Sequence, residues 1–285
     1  MTVLVTGTSG HLGHLVVQAL LERGVPAGEI VATARDLAAV DDLAARGVTV
    51  RRADYGDPAS LNAALAGVDR VLLVSSDAVG ARVEHHRNVV EAATRAGVAL
   101  LAYTSLLRAD TAAMPLAADH VATEELIRAS GVPFALLRNG WYLENYTENT
   151  DGALAAGAVY GAAGEGRVSA AARRDYAEAA AVVLAGGEHA GATYELAGDE
   201  AFTLAEYAAA LSAATGREIG YTDLPEEKYA EVLESVGVPA PFAAVLAGSD
   251  AGLARGELQD DSRTLSGLIG RPTTSLTEAL RGLTV

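Results

Sequence analysis

Three glycines spaced three apart, Gly7, Gly10 and Gly13, follow directly on the strand-forming run Thr2-Val-Leu-Val-Thr6. Apolar residues then recur at helical spacing, at Leu12, Leu15, Val16, Ala19 and Leu20. Strand, tight turn and helix in this order are the opening of a dinucleotide-binding βαβ unit. In such a unit Gly7 allows the turn, and Gly10 lets the backbone approach a pyrophosphate with no Cβ in the way. Gly13 lets the helix pack closely. The helix N-terminus then points free N–H groups and a partial positive charge at the phosphates. Gly7, Thr8, Ser9, Gly10, His11, Leu12 and Gly13 are therefore the expected cradle for a dinucleotide.

The same rhythm continues along the chain. Ile30–Ala34, Val48–Val50, Val71–Val74, Val98–Tyr103 and Val132–Leu137 read as strands, and Val71–Val74 is a continuous apolar run suited to burial on both faces. Between them lie predicted helices over Leu37–Arg46, from Asp57-Pro58 to about Ala66, over Arg82–Ala96 and over Asp119–Ser130. Alternation of this kind predicts an α/β fold, a Rossmann-type doubly wound parallel sheet. Beyond Leu137 the pattern changes. Residues 157–166 are rich in glycine and alanine with little periodicity, Asp175–Leu184 reads as a helix and Ala192–Leu196 as a strand. Capping boxes at Thr203/Glu206 and Ser275/Glu278 open helices. The expected organisation is a nucleotide-binding domain over residues 1–138, with 167–190 packing back on it. A smaller, mostly helical C-terminal lobe over 139–166 and 191–285 would cover the substrate.

Composition removes whole classes of chemistry. There is no cysteine, hence no disulfide, thiolate nucleophile or thiolate metal site. The formal net charge of −16 comes without a basic block, so neither nucleic acid nor an anionic membrane is an expected partner. No apolar run approaches the about eighteen residues of a membrane span, and the chain enters a strand at once, so no signal peptide and a cytoplasmic protein are expected. The glycine loop lacks the Gly-Lys-Ser/Thr ending of a nucleotide-hydrolysing loop, and no Gly-x-Ser-x-Gly elbow is present. Glu84, His85 and His86 are consecutive on a predicted helix, where side chains diverge, and no metal site is expected.

The strand ends carry the next information. Where an NAD-binding unit places an acidic residue to hold the ribose, about twenty positions after the glycines, this chain has Arg35 followed by Asp36. A guanidinium there suits the 2′-phosphate of NADP; the other reading is a solvated arginine with Asp36 as the ribose ligand. Asp54-Tyr55 would flank the adenine, or Asp54 would cap a turn. Ser75-Ser76 and Thr104-Ser105 stand at carboxyl ends of strands, where ligands bind in this topology, unless their hydroxyls serve only as helix caps.

Longer stretches carry a resemblance. They are Gly7-x-x-Gly10-x-x-Gly13, Ala102-Tyr-Thr-Ser-Leu-Leu107, His120-Val-Ala-Thr-Glu124, Leu137-Arg-Asn-Gly-Trp-Tyr142, Gly161-Ala-Ala-Gly164, Arg173-Arg-Asp-Tyr176 and Leu268-Ile-Gly-Arg-Pro272. With these the chain resembles the atypical short-chain dehydrogenase/reductase family of NmrA-like pattern, and within it the type-2 NADPH:quinone oxidoreductases. The triphenylmethane dye reductases lie a step further off. The resemblance implies NADPH as cofactor and flavin-free hydride transfer to a quinone. It implies a segment of Asn139, Gly140, Trp141 and Tyr142 passing the nicotinamide and walling the acceptor pocket. Arg173 would be a further cofactor contact, or simply a basic residue before the Asp175 cap.

One departure from the wider superfamily bears on mechanism. The usual Tyr-x-x-x-Lys of the helix after the fifth strand is replaced by His120 and Glu124, which share a helix face. A quinone needs less help than a ketone, because water can protonate the aromatic oxide that hydride addition produces. His120, with an ordinary pKa of about 6.5, is the candidate proton donor, and a plain surface pair with Glu124 is the other reading. The catalytic candidates are thus His120, Asn139 and Tyr142, acting on a small quinone-like acceptor. A dye or enone reductase and a non-catalytic NADP-binding redox sensor stand as alternatives, and homo-oligomerisation stays open.

Overall fold

The structure, a computed structural model, describes residues 1–78, 80–148 and 150–281. The chain begins with β1 (Val3–Val5), α1 (His11–Glu22) and β2 (Ile30–Ala34). A 3₁₀ turn over Leu37–Val40 and α2 (Asp41–Ala45) then lead to β3 (Thr49–Arg52). The single helix expected over 37–46 is split, because Asp36 caps Ala38 and Val40 leaves helical geometry with φ −134°. Next come α3 (Pro58–Ala64), capped by Asp57 as expected, β4 (Arg70–Leu73), α4 (Arg82–Ala96), β5 (Leu100–Leu106), α5 (Ala117–Ala129) and β6 (Phe134–Asn139).

The later part contains α6 (Glu144–Thr147), α7 (Thr150–Ala156), β7 (Ala158–Gly161), β8 (Arg167–Val168), α8 (Arg173–Ala185) and β9 (Ala192–Leu196). It closes with β10 (Phe202–Thr203), α9 (Leu204–Thr215), β11 (Gly220–Asp223), α10 (Glu226–Ser235), α11 (Ala240–Ala254), α12 (Thr264–Ile269) and α13 (Leu276–Leu280). Both expected capping boxes are formed, at α9 and at α13. The glycine- and alanine-rich stretch holds more order than its sequence announces. There β7 pairs in parallel with β11, and β8 pairs antiparallel with β10. Ladders of four and two residue pairs are too short to impose a readable alternation.

The described residues form two compact units, one within 1–106, 119–139 and 173–194, the other within 107–118, 140–172 and 195–281. Residues 107–118, expected from sequence in the nucleotide-binding domain, belong to the second.

In the first unit the main sheet has the strand order β3-β2-β1-β4-β5-β6-β9. The pairings of β1 with β2 and β4, β2 with β3, β4 with β5 and β5 with β6 are all parallel. This is the doubly wound order, with its reversal between β1 and β4, and ligands bind outside the carboxyl ends of the strands at that point. One face of the sheet carries Leu61 and Leu65 of the α3 region and Val89 and Ala93 of α4, packed on Leu4, Val71 and Leu101. Burial of each such leucine contributes about 1.5–3 kcal/mol. Helices α1 and α8 pack on each other. Ala177, Ala180 and Ala181 of α8 are buried, and their small side chains permit close approach.

Candidate functional site

The carboxyl end of β1 leads into the glycine loop. Gly7 has φ +61°, a left-handed conformation that a side chain would strain. Gly10 caps α1 in extended geometry without a side-chain hydrogen bond, and the first turn holds no acidic residue. The first N–H groups of α1 therefore keep a partial positive charge that no capping or acidic side chain of that turn offsets. A Cβ on Gly13 would lie 2.5 Å from Gly7 O, so only glycine lets the helix sit this close to its own loop. Ser9, Gly10 and His11 are exposed, whereas Thr8 and Leu12 are buried. The Thr8 hydroxyl donates to Thr33 O at 3.0 Å, tying the loop to β2.

Arg35 stands exposed at the end of β2, with no hydrogen bond or ion pair among the described residues. Asp36 is exposed too, and its Oδ1 accepts from Ala38 N at 3.1 Å. Asp54 caps a turn, accepting from Gly56 N at 2.9 Å. Tyr55 is partly exposed and is tied in place through its hydroxyl. Its hydroxyl lies 2.5 Å from Thr6 Oγ1 and donates to Val74 O at 2.8 Å, joining β1 to the end of β4 beneath the glycine loop. Burial holds that hydroxyl well above the usual phenol range.

At the ends of β4 and β5, Thr104 Oγ1 accepts from Ser75 N at 2.9 Å, so this hydroxyl braces the backbone between two strands. Ser105 Oγ donates to Glu124 Oε1 at 2.6 Å, and Arg138 of β6 clamps the same carboxylate through Nε at 2.9 Å and a second nitrogen at 2.7 Å. The shared helix face of His120 and Glu124 is thus no pair: Glu124 turns to Arg138, and His120 Nδ1 meets the Tyr103 hydroxyl at 2.8 Å. Burial, aided by the Arg82 charge, pushes His120 down to about 3, so the near-neutral titration that recommended it as a proton donor is not kept. His86 is pushed down to about 3 as well, by burial and then by His120, Arg82 and His85.

At the end of β6, Asn139 is 4% exposed and its Oδ1 has no hydrogen-bond partner. A buried polar atom left unsatisfied costs about 1–3 kcal/mol, and this acceptor points to a ligand that brings an N–H or O–H donor. In the second unit Gly140 N donates to Leu196 O at 2.8 Å, and Trp141 O accepts from Ala171 N at 3.2 Å. Tyr142 forms an isolated bridge with Ala171. The aromatic pair is thereby fixed through its backbone, with both side chains partly exposed. Arg173 opens α8, also partly exposed. The first unit thus brings together the open helix end, the braced β4 and β5 ends and the Asn139 acceptor. Tyr103, His86 and Arg138 have no role assigned from sequence, although Tyr103 and Arg138 stand inside two of the stretches that carry the resemblance and His86 is weighed there only as a metal ligand.

The sequence profile of the NmrA-like family matches residues 1–268. Quinone oxidoreductase 2 of Escherichia coli (strain K12) is 50% identical over 281 residues, spanning 99% of this chain and 98% of that protein. The crystal structure of the NADPH-dependent quinone oxidoreductase from Escherichia coli, complexed with NADPH, superposes with a TM-score of 0.95 at 50% identity, covering 98% of each chain. The Citrobacter sp. triphenylmethane reductase complexed with NADP(H) superposes with a TM-score of 0.93 at 37% identity, covering 98% of this chain and 99% of that one. With its glycine loop, its strand order and these relatives, the chain belongs to the NmrA-like family.

Proposed function

We propose that this protein is a cytoplasmic NADPH-dependent reductase that passes hydride directly to quinones or similar planar electrophiles, without flavin. The observation that carries the reading is 50% identity to an Escherichia coli quinone oxidoreductase across 99% of this chain. The site's own geometry fits the cofactor. The uncapped end of α1 suits a pyrophosphate, free Arg35 suits a 2′-phosphate, and the orphan Asn139 Oδ1 suits an N–H donor such as a carboxamide.

When bound, NADPH supplies the hydride. The backbone of Gly7, Ser9, Gly10 and His11 holds the phosphates, and Ser75, Ser76 and Thr104 shape the floor at the β4 and β5 ends. Trp141 and Tyr142 offer a flat wall for an aromatic acceptor, and Arg173 is a further cofactor contact. Holding the acceptor in reacting geometry is most of the catalysis. Hydride addition to the quinone leaves an aromatic oxide that takes its proton from water. His120, neutral and bonded to Tyr103, keeps a hydrogen-bonding role. His120→Gln should therefore slow quinone turnover by less than about tenfold, where removing a general acid costs about 10²–10⁴.

Arg35 sets the coenzyme preference. Charged hydrogen bonds contribute about 1.5–3 kcal/mol, so Arg35→Ala should weaken NADPH roughly 10- to 150-fold. NADH lacks the 2′-phosphate and should shift only a few-fold. Michaelis constants for both coenzymes check this, and equal losses would move Arg35 to the pyrophosphate or the fold.

The reading is tested by following NADPH absorbance as purified, flavin-free protein meets menadione. Steady NADPH consumption is expected. Firm NADP(H) binding without consumption of NADPH by menadione, a dye or an enone would make the protein a redox sensor instead.

A further inference from the structure

The Ser76 backbone is gripped at its N–H and at its carbonyl by α4. Its N–H donates to His86 Nε2 at 2.9 Å, and its carbonyl accepts from Arg82 Nε at 2.7 Å. Arg82 and His86 are four apart, neighbours on one helix face. Because Nε2 accepts, the proton of the neutral imidazole sits on Nδ1 and goes to Thr123 Oγ1 at 2.9 Å. The Thr123 hydroxyl donates in turn to Asp119 O at 2.8 Å. Arg82 closes the circuit with an ion pair to Asp119 Oδ2 at 3.1 Å. Ser76, His86, Thr123, Asp119 and Arg82 thus form a closed ring joining the β4 end to α4 and α5. His86 is fully buried, at a place where an apolar side chain would fill the core without a polar desolvation cost.

We propose that His86 and Arg82 are positioning residues, which hold residues 75–78 in the shape that receives the nicotinamide half of the cofactor. The proposal rests on the NADPH reading given above. Topology supplies its direction: β1–β3 build one mononucleotide-binding half of this fold and β4–β6 the other. Arg35 belongs to the first half, and Ser76 and Asn139 to the second. A segment already ordered before the ligand arrives does not weaken binding by the fraction of time it spends misplaced.

Calorimetric titration of two ligands tests this: NADP⁺, and adenosine 2′,5′-bisphosphate, which lacks the nicotinamide half. His86→Gln places an amide oxygen near the position of Nε2 and keeps an acceptor for Ser76 N, whereas His86→Asn reaches only toward Thr123. His86→Asn should weaken NADP⁺ about 5- to 100-fold, the range for stranding one buried donor, and leave the bisphosphate within about twofold. His86→Gln should bind NADP⁺ nearly as wild type does. If His86→Asn does not fold, Thr123→Val, which cuts the ring on the α5 side, should show the same split between ligands. Equal losses for both ligands, or none for either, would overturn the positioning role. A wild-type protein that bound neither would overturn the cofactor reading and this proposal with it.

Discussion

Glu124→Ala should destabilise the first unit by about 3–5 kcal/mol, the usual cost of removing one partner of a buried ion pair. Glu124 and Arg138 are each 4% exposed, and the guanidinium meets the carboxylate through two nitrogens at 2.9 and 2.7 Å. Without the carboxylate the guanidinium keeps its buried charge but loses this two-pronged partner, and Ser105 Oγ loses its acceptor. The exposed Arg128 nitrogen at 3.6 Å contributes little, as surface pairs do. Replacing both partners together with apolar residues of similar volume should cost far less than the single change, because no charge then stays buried. Urea unfolding of the single and double variants measures the contrast. A single-variant loss below about 1 kcal/mol would place the pair among ordinary surface bridges.

Acid should loosen the first unit through its two buried histidines. His86 and His120 are pushed down to about 3 in the folded protein, against 6.5 when exposed. Between these values the unfolded chain binds more protons, so stability rises with pH there. The contribution is fully present above pH 6.5 and is lost as pH falls toward 3. From pH 7 to pH 5 it amounts to about 2 kcal/mol for each histidine. The charged and titratable groups that shift His86 are His120, Arg82 and His85, and its ring also meets Tyr55 and Tyr103. The carboxylate of the hydrogen-bonded ring, on Asp119, is paired with Arg82.

The second unit should respond in the opposite sense. Burial raises Asp250 from 3.8 to about 6, so its contribution is greatest below 3.8 and is lost as pH rises through 6. Over the same interval from pH 7 to 5 it should gain about 1 kcal/mol. Hydrogen exchange, corrected for intrinsic rates, should therefore show amides of α4, β5 and α5 losing protection at pH 5 while those of β7 and α11 do not. His86→Gln should remove about half of the first unit's slope. A uniform response in both units would contradict this assignment.

The features legible in the sequence are those written in local periodicity and backbone demand. The Gly7 turn, the all-apolar β4, the Asp57-Pro58 start of α3 and the capping box at Thr203/Glu206 each state a rule within four to ten residues. Alternation of strand and helix then leaves few topologies, and the doubly wound order is among them. The site was less legible because its partners are chosen across the fold. The spacing of His120 and Glu124 correctly puts both on one face of α5. Which neighbour each side chain takes is decided by Tyr103 on β5 and Arg138 on β6, fourteen or more positions away. Tyr55 reads in sequence as an aromatic near the adenine, and nothing local announces that its hydroxyl reaches Thr6 and Val74 beneath the glycine loop. The His86 ring needs five residues from three segments. No spacing rule announces it.

Direct hydride delivery is tested most sharply by a single turnover. Protein loaded with NADPH, or with NADPH deuterated at the transferred position of C4, is mixed with excess menadione in the absence of flavin. The NADPH absorbance should vanish at the concentration of bound coenzyme, more slowly with deuterium, and with no flavin band at any stage. Bound NADPH that persists in the presence of menadione, or that is consumed only when flavin is added, would contradict it.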